Sequence, residues 1–355
     1  MRAMKTAGMT LVLVLLLVLG ASGEDPVIAS FTENGVLAWS NATPGGAYSV
    51  EWSPSIEEGT WHNDWDSLSP VSATGSTTSV RVPLFYRVRQ IPDMAVVPGG
   101  SFAMGYDYVA VRTVTVSAFV IDLNEITKAK WDEVRGWALT NGYSDLAVGQ
   151  AGTGGDATSN HPVTMVSWHQ SLKWCNARSE MSGLTPCYYT NSALLTSAIY
   201  RTGTVTVIND WVNWTSGGYR LPTDAEWEKA ARGGLVSQLY PWGNAAPDAT
   251  RANYNTNATT AVGNYPANGY GLFDMAGNVV DLCWDLYTVT MMPPEGSVDP
   301  RGPATTNEYG STTRIGHGGS WSSTSTLLLK CSDRSYYIAP DSGGTYFGFR
   351  CVRNP

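Results

Sequence analysis

The sequence predicts a helix-poor domain of strands, loops and large aromatic side chains behind a small all-β module. Three observations carry this. Only three segments combine a helix-start signal with helical apolar spacing, and glycine and tryptophan are in excess, at 37 and 14 of 355 residues. Residues 26–91 alternate apolar and polar positions in short runs, whereas the remainder does not. With 22 basic and 30 acidic residues the net charge is −8, and only 15% of the chain is charged. No window clusters enough Lys or Arg to replace the counterions of a polyanion, so nucleic acid is excluded as a partner.

The first element is an address. Arg2 and Lys5 precede an apolar Leu/Val run over residues 11–19, and Ala21, Ser22 and Gly23 supply the small side chains of a cleavage site. Residues 1–23 therefore read as a signal peptide, and the protein as secreted or displayed at the cell surface. Beyond it no run approaches the roughly 18 apolar residues that span a bilayer.

Residues 24–92 follow as a small β-sandwich of fibronectin-III-like character. Tyr48, Val50 and Trp52 share one face of a strand, and Val80, Val82, Leu84, Tyr86 and Val88 one face of another, with turn clusters between. The module has no convergent acid, base or nucleophile, which suits a spacer or adhesion role. Trp61, His62 and Trp65 suggest either core packing or an aromatic sugar platform.

Residues 93–355 form the larger domain. Thr127 caps a helix carrying Trp131 and Val134 on one face. Ser167 and Gln170 form a capping-box pattern before Trp168, Leu172 and Cys175; Thr223 and Glu226 form another before Trp227, Ala230 and Ala231. Three short helices cannot bury a domain of this size, so strands and aromatics must supply the core. Arg220 and Arg350 stand where a guanidinium can hold a buried carboxylate or backbone carbonyls. Pro98, Gly99 and Gly100 supply a turn before a strand from Ser101. Cys175, Cys187, Cys283, Cys331 and Cys351 are widely spaced with no CxxC pair, which argues against a zinc cage.

A series of motifs then runs in order: MAVVPGGSFAMG (94–105), EIT (125–127), HPVTMVSW (161–168), YRLPTDAEWEKAARGG (219–234), YPWGN (240–244), ANY (252–254), NGYGLFDMAGN (268–278), GGSW (318–321) and GFR (348–350). Over about residues 93–353 the chain resembles the formylglycine-generating enzyme, or sulfatase-modifying factor, family. The resemblance implies an α+β domain of the C-type-lectin-like class with little regular secondary structure.

It also implies a chemistry to test. Family enzymes oxidise a sulfatase cysteine to an aldehyde with oxygen and a copper(I) ion held by two thiolates, the soft ligands that ion prefers. Those cysteines lie three and eight residues past the Ser of Gly-Gly-Ser, where this chain has Ser323 and Leu328. Copper and formylglycine-generating activity are therefore not expected. Calcium is, at one site: the resemblance maps one place to Asn278, Val280 and Asp281, and a weaker one to Asn253 and Tyr254, with oxygen donors suited to a hard cation. It pairs Cys175 with Cys351 in a structural disulfide. Cys331 lacks its usual partner, with Cys283 as the candidate. His317 replaces an Arg near the family's groove.

Three functions compete. A ligand-binding, lectin-like module would use residues 320–347, with Ser320, Trp321, Ser323, Tyr336, Tyr337 and Tyr346 as contacts to a protein or glycan; Tyr offers large amphipathic area at low entropic cost. Some relatives diversify this stretch, and the chain end is similar. The alternatives are an oxidase acting on sulfatase cysteines and a structural surface protein. A monomer is expected.

Overall fold

The computed structural model describes residues 27–31, 37–40, 46–53, 85–105, 111–288, 292–304, 306 and 310–355, with side chains from Ile91 onward except at Pro92. In chain order the elements are β1 (Val27–Phe31), β2 (Leu37–Ser40), β3 (Gly46–Ser53), β4 (Phe85–Val97), β5 (Gly100–Met104), β6 (Arg112–Val116), β7 (Phe119–Asp122), α1 (Lys128–Thr140), β8 (Gln150–Ala151), β9 (Val163–Thr164), α2 (Trp168–Met181), α3 (Asp224–Arg232), β10 (Val280–Leu286), β11 (Arg314–His317), β12 (Tyr336–Ile338), β13 (Phe347–Gly348) and β14 (Val352–Arg353). Two compact units result, one of residues 1–43 and 49–90, the other of 44–48 and 91–355.

In the first unit β1 pairs antiparallel with β2, with a register break between Ile28 and Ser30. Tyr48, Val50 and Trp52 fall within β3. Trp61, His62, Trp65 and Val80 to Leu84 lie outside the described residues, as does the signal segment.

The second unit is α+β. Met94 to Val97 of β4 pair with β7, whose other edge carries β14. A second sheet runs β12–β11–β10–β13, with β13 parallel to β10 and the others antiparallel. The hairpin β5–β6 lies apart from both, in register from Gly100↔Val116 to Met104↔Arg112.

The three helices start where the capping residues place them, with one difference. Thr127 accepts from the Lys130 amide, and Thr223 and Glu226 complete a reciprocal capping box. Ser167 accepts from the Gln170 amide, but the Gln170 side chain does not return the bond. It accepts from Ala147 N at 2.8 Å and donates to Asp145 O at 3.2 Å, because pinning the loop before α2 satisfies both ends of the amide. At the end of α3, Gly233 takes φ 56°, a left-handed cap.

The core is aromatic, as three short helices require. Trp131 of α1 stacks on Trp174 of α2 at 5.7 Å, and Phe349 stands edge-on to both. Trp284 lies against Trp168 and Tyr188. A second apolar cluster joins Val97, Val114, Phe119, Ile121, Trp227 and Cys283. Arg178 of α2, buried in this interior, forks onto Asp122 at 2.7 and 2.8 Å.

Candidate functional site

The segment after β11 is built on two glycines in the left-handed region, Gly318 (φ 89°) and Gly319 (φ 72°). A Cβ on Gly319 would sit 2.8 Å from the Leu329 side chain and 3.0 Å from the Leu328 carbonyl oxygen, so only glycine admits the turn. Ser320, directly after it, donates its amide to Ser323 Oγ at 2.9 Å, and Ser323 Oγ pairs with the Tyr336 hydroxyl at 2.8 Å. Ser320 and Ser322 hydroxyls meet at 3.1 Å. The result is a connected patch of hydroxyls, with Ser320 and Ser323 buried and Ser322 exposed. Leu328 is half-buried beside Gly319.

Trp321 links this patch to the neighbouring loop. Its amide donates to Asn278 O, its carbonyl accepts from Thr256 N, each at 2.8 Å, and its indole donates to Thr345 O at 3.2 Å. Tyr346 follows Thr345, partly exposed and packed against Phe347 at 4.4 Å. Ser320, Trp321, Ser323, Tyr336 and Tyr346 are thus tied into one region. Tyr337 is not: strand alternation turns it away from Tyr336, 67% exposed, to lean on Tyr287.

Behind this surface lies a buried polar node. The Asn278 amide group donates to Glu125 Oε2 at 2.7 Å, and its oxygen accepts from Thr260 N at 2.9 Å and Asn253 Nδ2 at 3.3 Å. The Asn253 oxygen accepts from Thr256 Oγ1. Tyr254 points elsewhere, its hydroxyl donating to Pro247 O, and Val280 gives its amide to Tyr346 O. Asp281 Oδ2 accepts from Arg350 Nε at 2.8 Å and Trp227 Nε1 at 2.9 Å. Arg350 spends its other donors on the carbonyls of Asp122, Leu123 and Phe273, the role expected of it. Arg220 likewise forks onto Glu226 at 2.6 Å twice.

Of the expected calcium ligands, then, Asn278 and Asn253 come together but their amides are already engaged, while Asp281 keeps one oxygen without a partner. That Oδ1, with Asp274 Oδ1, Thr260 Oγ1 and Asn124 Oδ1, is buried and unpaired. Burial, then the charges of Asp274 and Asp281, push the Glu125 carboxyl well above its usual range. Burial, the largest cause, also pushes Asp274 up to about 6. Three acids thus share one buried region with one guanidinium. Among the described residues no three His, Cys, Asp or Glu side chains form a metal-binding group, so an ion here would draw on amide and carbonyl oxygens as well. Sequence reasoning missed Asp274 and Glu125, although both lie in quoted motifs; for Asp274 the signal was an acid in the run Leu272, Phe273, Met275, Ala276.

The remaining polar residues serve structure. His317 is buried rather than on a groove, stacked on Trp227 at 4.5 Å with Nε2 2.8 Å from Asp224 Oδ1. His161 meets Thr259 at 2.9 Å. Cys175 and Cys351 face each other with sulfurs 3.5 Å apart, unbonded. Burial pushes the Cys187 and Cys331 thiols up to about 11 and about 12. Cys283 turns its sulfur toward Asp281 O at 3.9 Å, and no bond joins it to Cys331.

Known proteins with this arrangement point one way. Residues 83–355 match the sulfatase-modifying factor enzyme 1-like domain. The chain is 30% identical to a chaperone protein, LppX, of Paenibacillus barcinonensis over 78% of this chain and 92% of that one. It is 27% identical to the formylglycine-generating enzyme of Thermomonospora curvata over 74% and 93%. Among solved structures, variable protein 1 of Treponema denticola superposes with a TM-score of 0.59 at 27% identity, covering 81% of this chain and all of that one. The chain belongs to the sulfatase-modifying factor family and carries its C-type-lectin-like fold.

Proposed function

We propose that this protein is an exported, non-catalytic member of its family that binds a protein or glycan ligand with the surface of residues 320–347. The observation that carries the reading is Ser323, at the first copper position that the resemblance assigns, where its hydroxyl accepts from the Ser320 amide and pairs with the Tyr336 hydroxyl. Hydroxyls are poor ligands for copper(I), which prefers thiolates. Leu328 at the second position offers no ligand atom. Partly exposed Trp321 and Tyr346 flank the cluster and supply amphipathic area for recognition. Likeness to a protein named as a chaperone supports a binding role.

Export would place Cys175 and Cys351 in an oxidising compartment, where their facing sulfurs close into a disulfide. Calcium fits the buried node, held by Asp274 and Asp281 with neighbouring amide oxygens. It would supply charge neutralisation that stiffens the platform under Trp321.

The test is an array of glycans and extracellular proteins probed with the wild-type protein and the Tyr346→Ala variant. Binding that the variant weakens supports the reading. In parallel, a sulfatase-motif peptide is incubated with the protein and copper(I). Aldehyde formation there would overturn the reading in favour of the oxidase. An array without a single hit would favour a structural surface protein.

A further inference from the structure

A cleft of about 420 Å³, lined by Lys229 and Arg232 of α3, shares no residue with the 320–347 surface. Its size falls within the range of small-molecule sites, roughly 300–1,000 Å³. Phe102 of the β5–β6 hairpin and Tyr270 form its walls. Its lip is Leu235 and Val236, in the turn that follows the Gly233 cap. Val236 is 76% exposed, an apolar residue that the fold leaves uncovered.

Two cations, Lys229 and Arg232, stand on the lining among these apolar side chains. Lys229 donates to Gly100 O at 2.6 Å and, more weakly, toward Val116 O at 3.5 Å, with its ammonium 6.0 Å from the Phe102 ring centre. An ammonium has three donors, and among the described residues Lys229 has no ion-pair partner. The acid whose charge reaches it, Asp299, is engaged by the amide and hydroxyl of Ser117. Burial lowers the Lys229 pKa, the mark of a cation short of counter-charge. Arg232, the other cation on the lining, has its charge met by Glu228 and gives further donors to the carbonyls of Gln238 and Gly105.

We propose that this cleft binds a small amphiphilic monocarboxylate, its carboxylate on Lys229 and its apolar tail between Phe102, Tyr270 and Leu235. One available ammonium matches one negative charge. A phosphate would bring a second negative charge, and the charge of Arg232 is already met by Glu228.

The test is calorimetric titration of the full chain with sodium octanoate and with octan-1-ol, which has the same tail without the charge. Octanoate is expected to bind at least about tenfold tighter than the alcohol, the effect of one charge-assisted contact in a partly desolvated site. Lys229→Met should abolish that difference. Should Lys229→Met unfold, Val236→Glu decides, because its exposed position leaves the fold intact. Its carboxylate at the lip should weaken octanoate and leave the alcohol unchanged. Absence of octanoate binding, equal affinity for the two probes, or octanoate affinity unchanged in Val236→Glu would overturn the proposal. None of these outcomes bears on the 320–347 surface.

Discussion

Holding the protein in a reductant, or replacing Cys351 with Ala, removes the covalent link proposed between Cys175 and Cys351. The two are 176 positions apart and their sulfurs 3.5 Å apart. Closure to the usual bond length of about 2.05 Å is a shift of roughly 1.5 Å, within reach of side-chain rotation. A loop of this length removes about 5 kcal/mol of conformational entropy from the unfolded chain in the chain-entropy model. That is a large share of the total stability of a domain, about 5–15 kcal/mol. The assay is urea unfolding followed by tryptophan fluorescence, oxidised against reduced, with intact mass after alkylation in denaturant. Oxidised protein should block two of the five thiols and unfold at distinctly higher urea. Cys187→Ser, at a buried thiol outside the pair, should leave both the bond and its contribution in place. Five alkylated thiols in the oxidised sample, or coincident unfolding curves, would refute the reasoning.

Other predictions follow from the buried charges and turns. Asp122→Asn strips the carboxylate from Arg178, leaving a buried guanidinium unpaired, and should cost about 3–5 kcal/mol in denaturant unfolding. His169 is buried, and this pushes its pKa from 6.5 down to about 4 despite the nearby Asp341. The folded state therefore holds fewer protons than the unfolded one between those values. Its contribution is full above pH 6.5 and is lost as pH falls toward 4, so His169→Gln should flatten that part of the stability-against-pH curve. Gly277 has φ 86°, and a Cβ there would lie 2.4 Å from the Asn253 carbonyl oxygen; Gly277→Ala should cost about 2–4 kcal/mol, read by thermal unfolding. Millimolar calcium should raise the Tm of the wild type and not that of Asp274→Asn.

Sequence reasoning reached what short-range chemistry dictates. Thr127 and Thr223 start helices because a hydroxyl three residues before a free amide has one good use, and both helices follow that pattern. Arg220 and Arg350 were legible as holders of carboxylates because a guanidinium set in an apolar run must find an acceptor. The failures are contacts between distant segments. Gln170 abandons its capping box for a loop more than twenty residues earlier, a choice that packing makes and spacing cannot reveal. Asp274 and Asp281 both reach the Glu125 carboxyl only because β10 passes beside the loop after β7. The separation of Tyr336 from Tyr337 followed from strand alternation, and was missed because the segment carried too few residues to show a period.

Residues 347–353 close nearly every layer of the second unit. Phe347 pairs beside Val280, Phe349 completes the Trp131–Trp174 stack, Arg350 binds Asp281, Cys351 faces Cys175, and Val352 pairs with Ile121 and with Arg220. The consequence is one of timing. Neither sheet can be sealed until these seven residues are in place, so the second unit closes late, on segments far apart in sequence. Closure by so distant a segment gives the second unit a non-local topology, whose strand pairings carry a large loop-closure cost before they are rewarded.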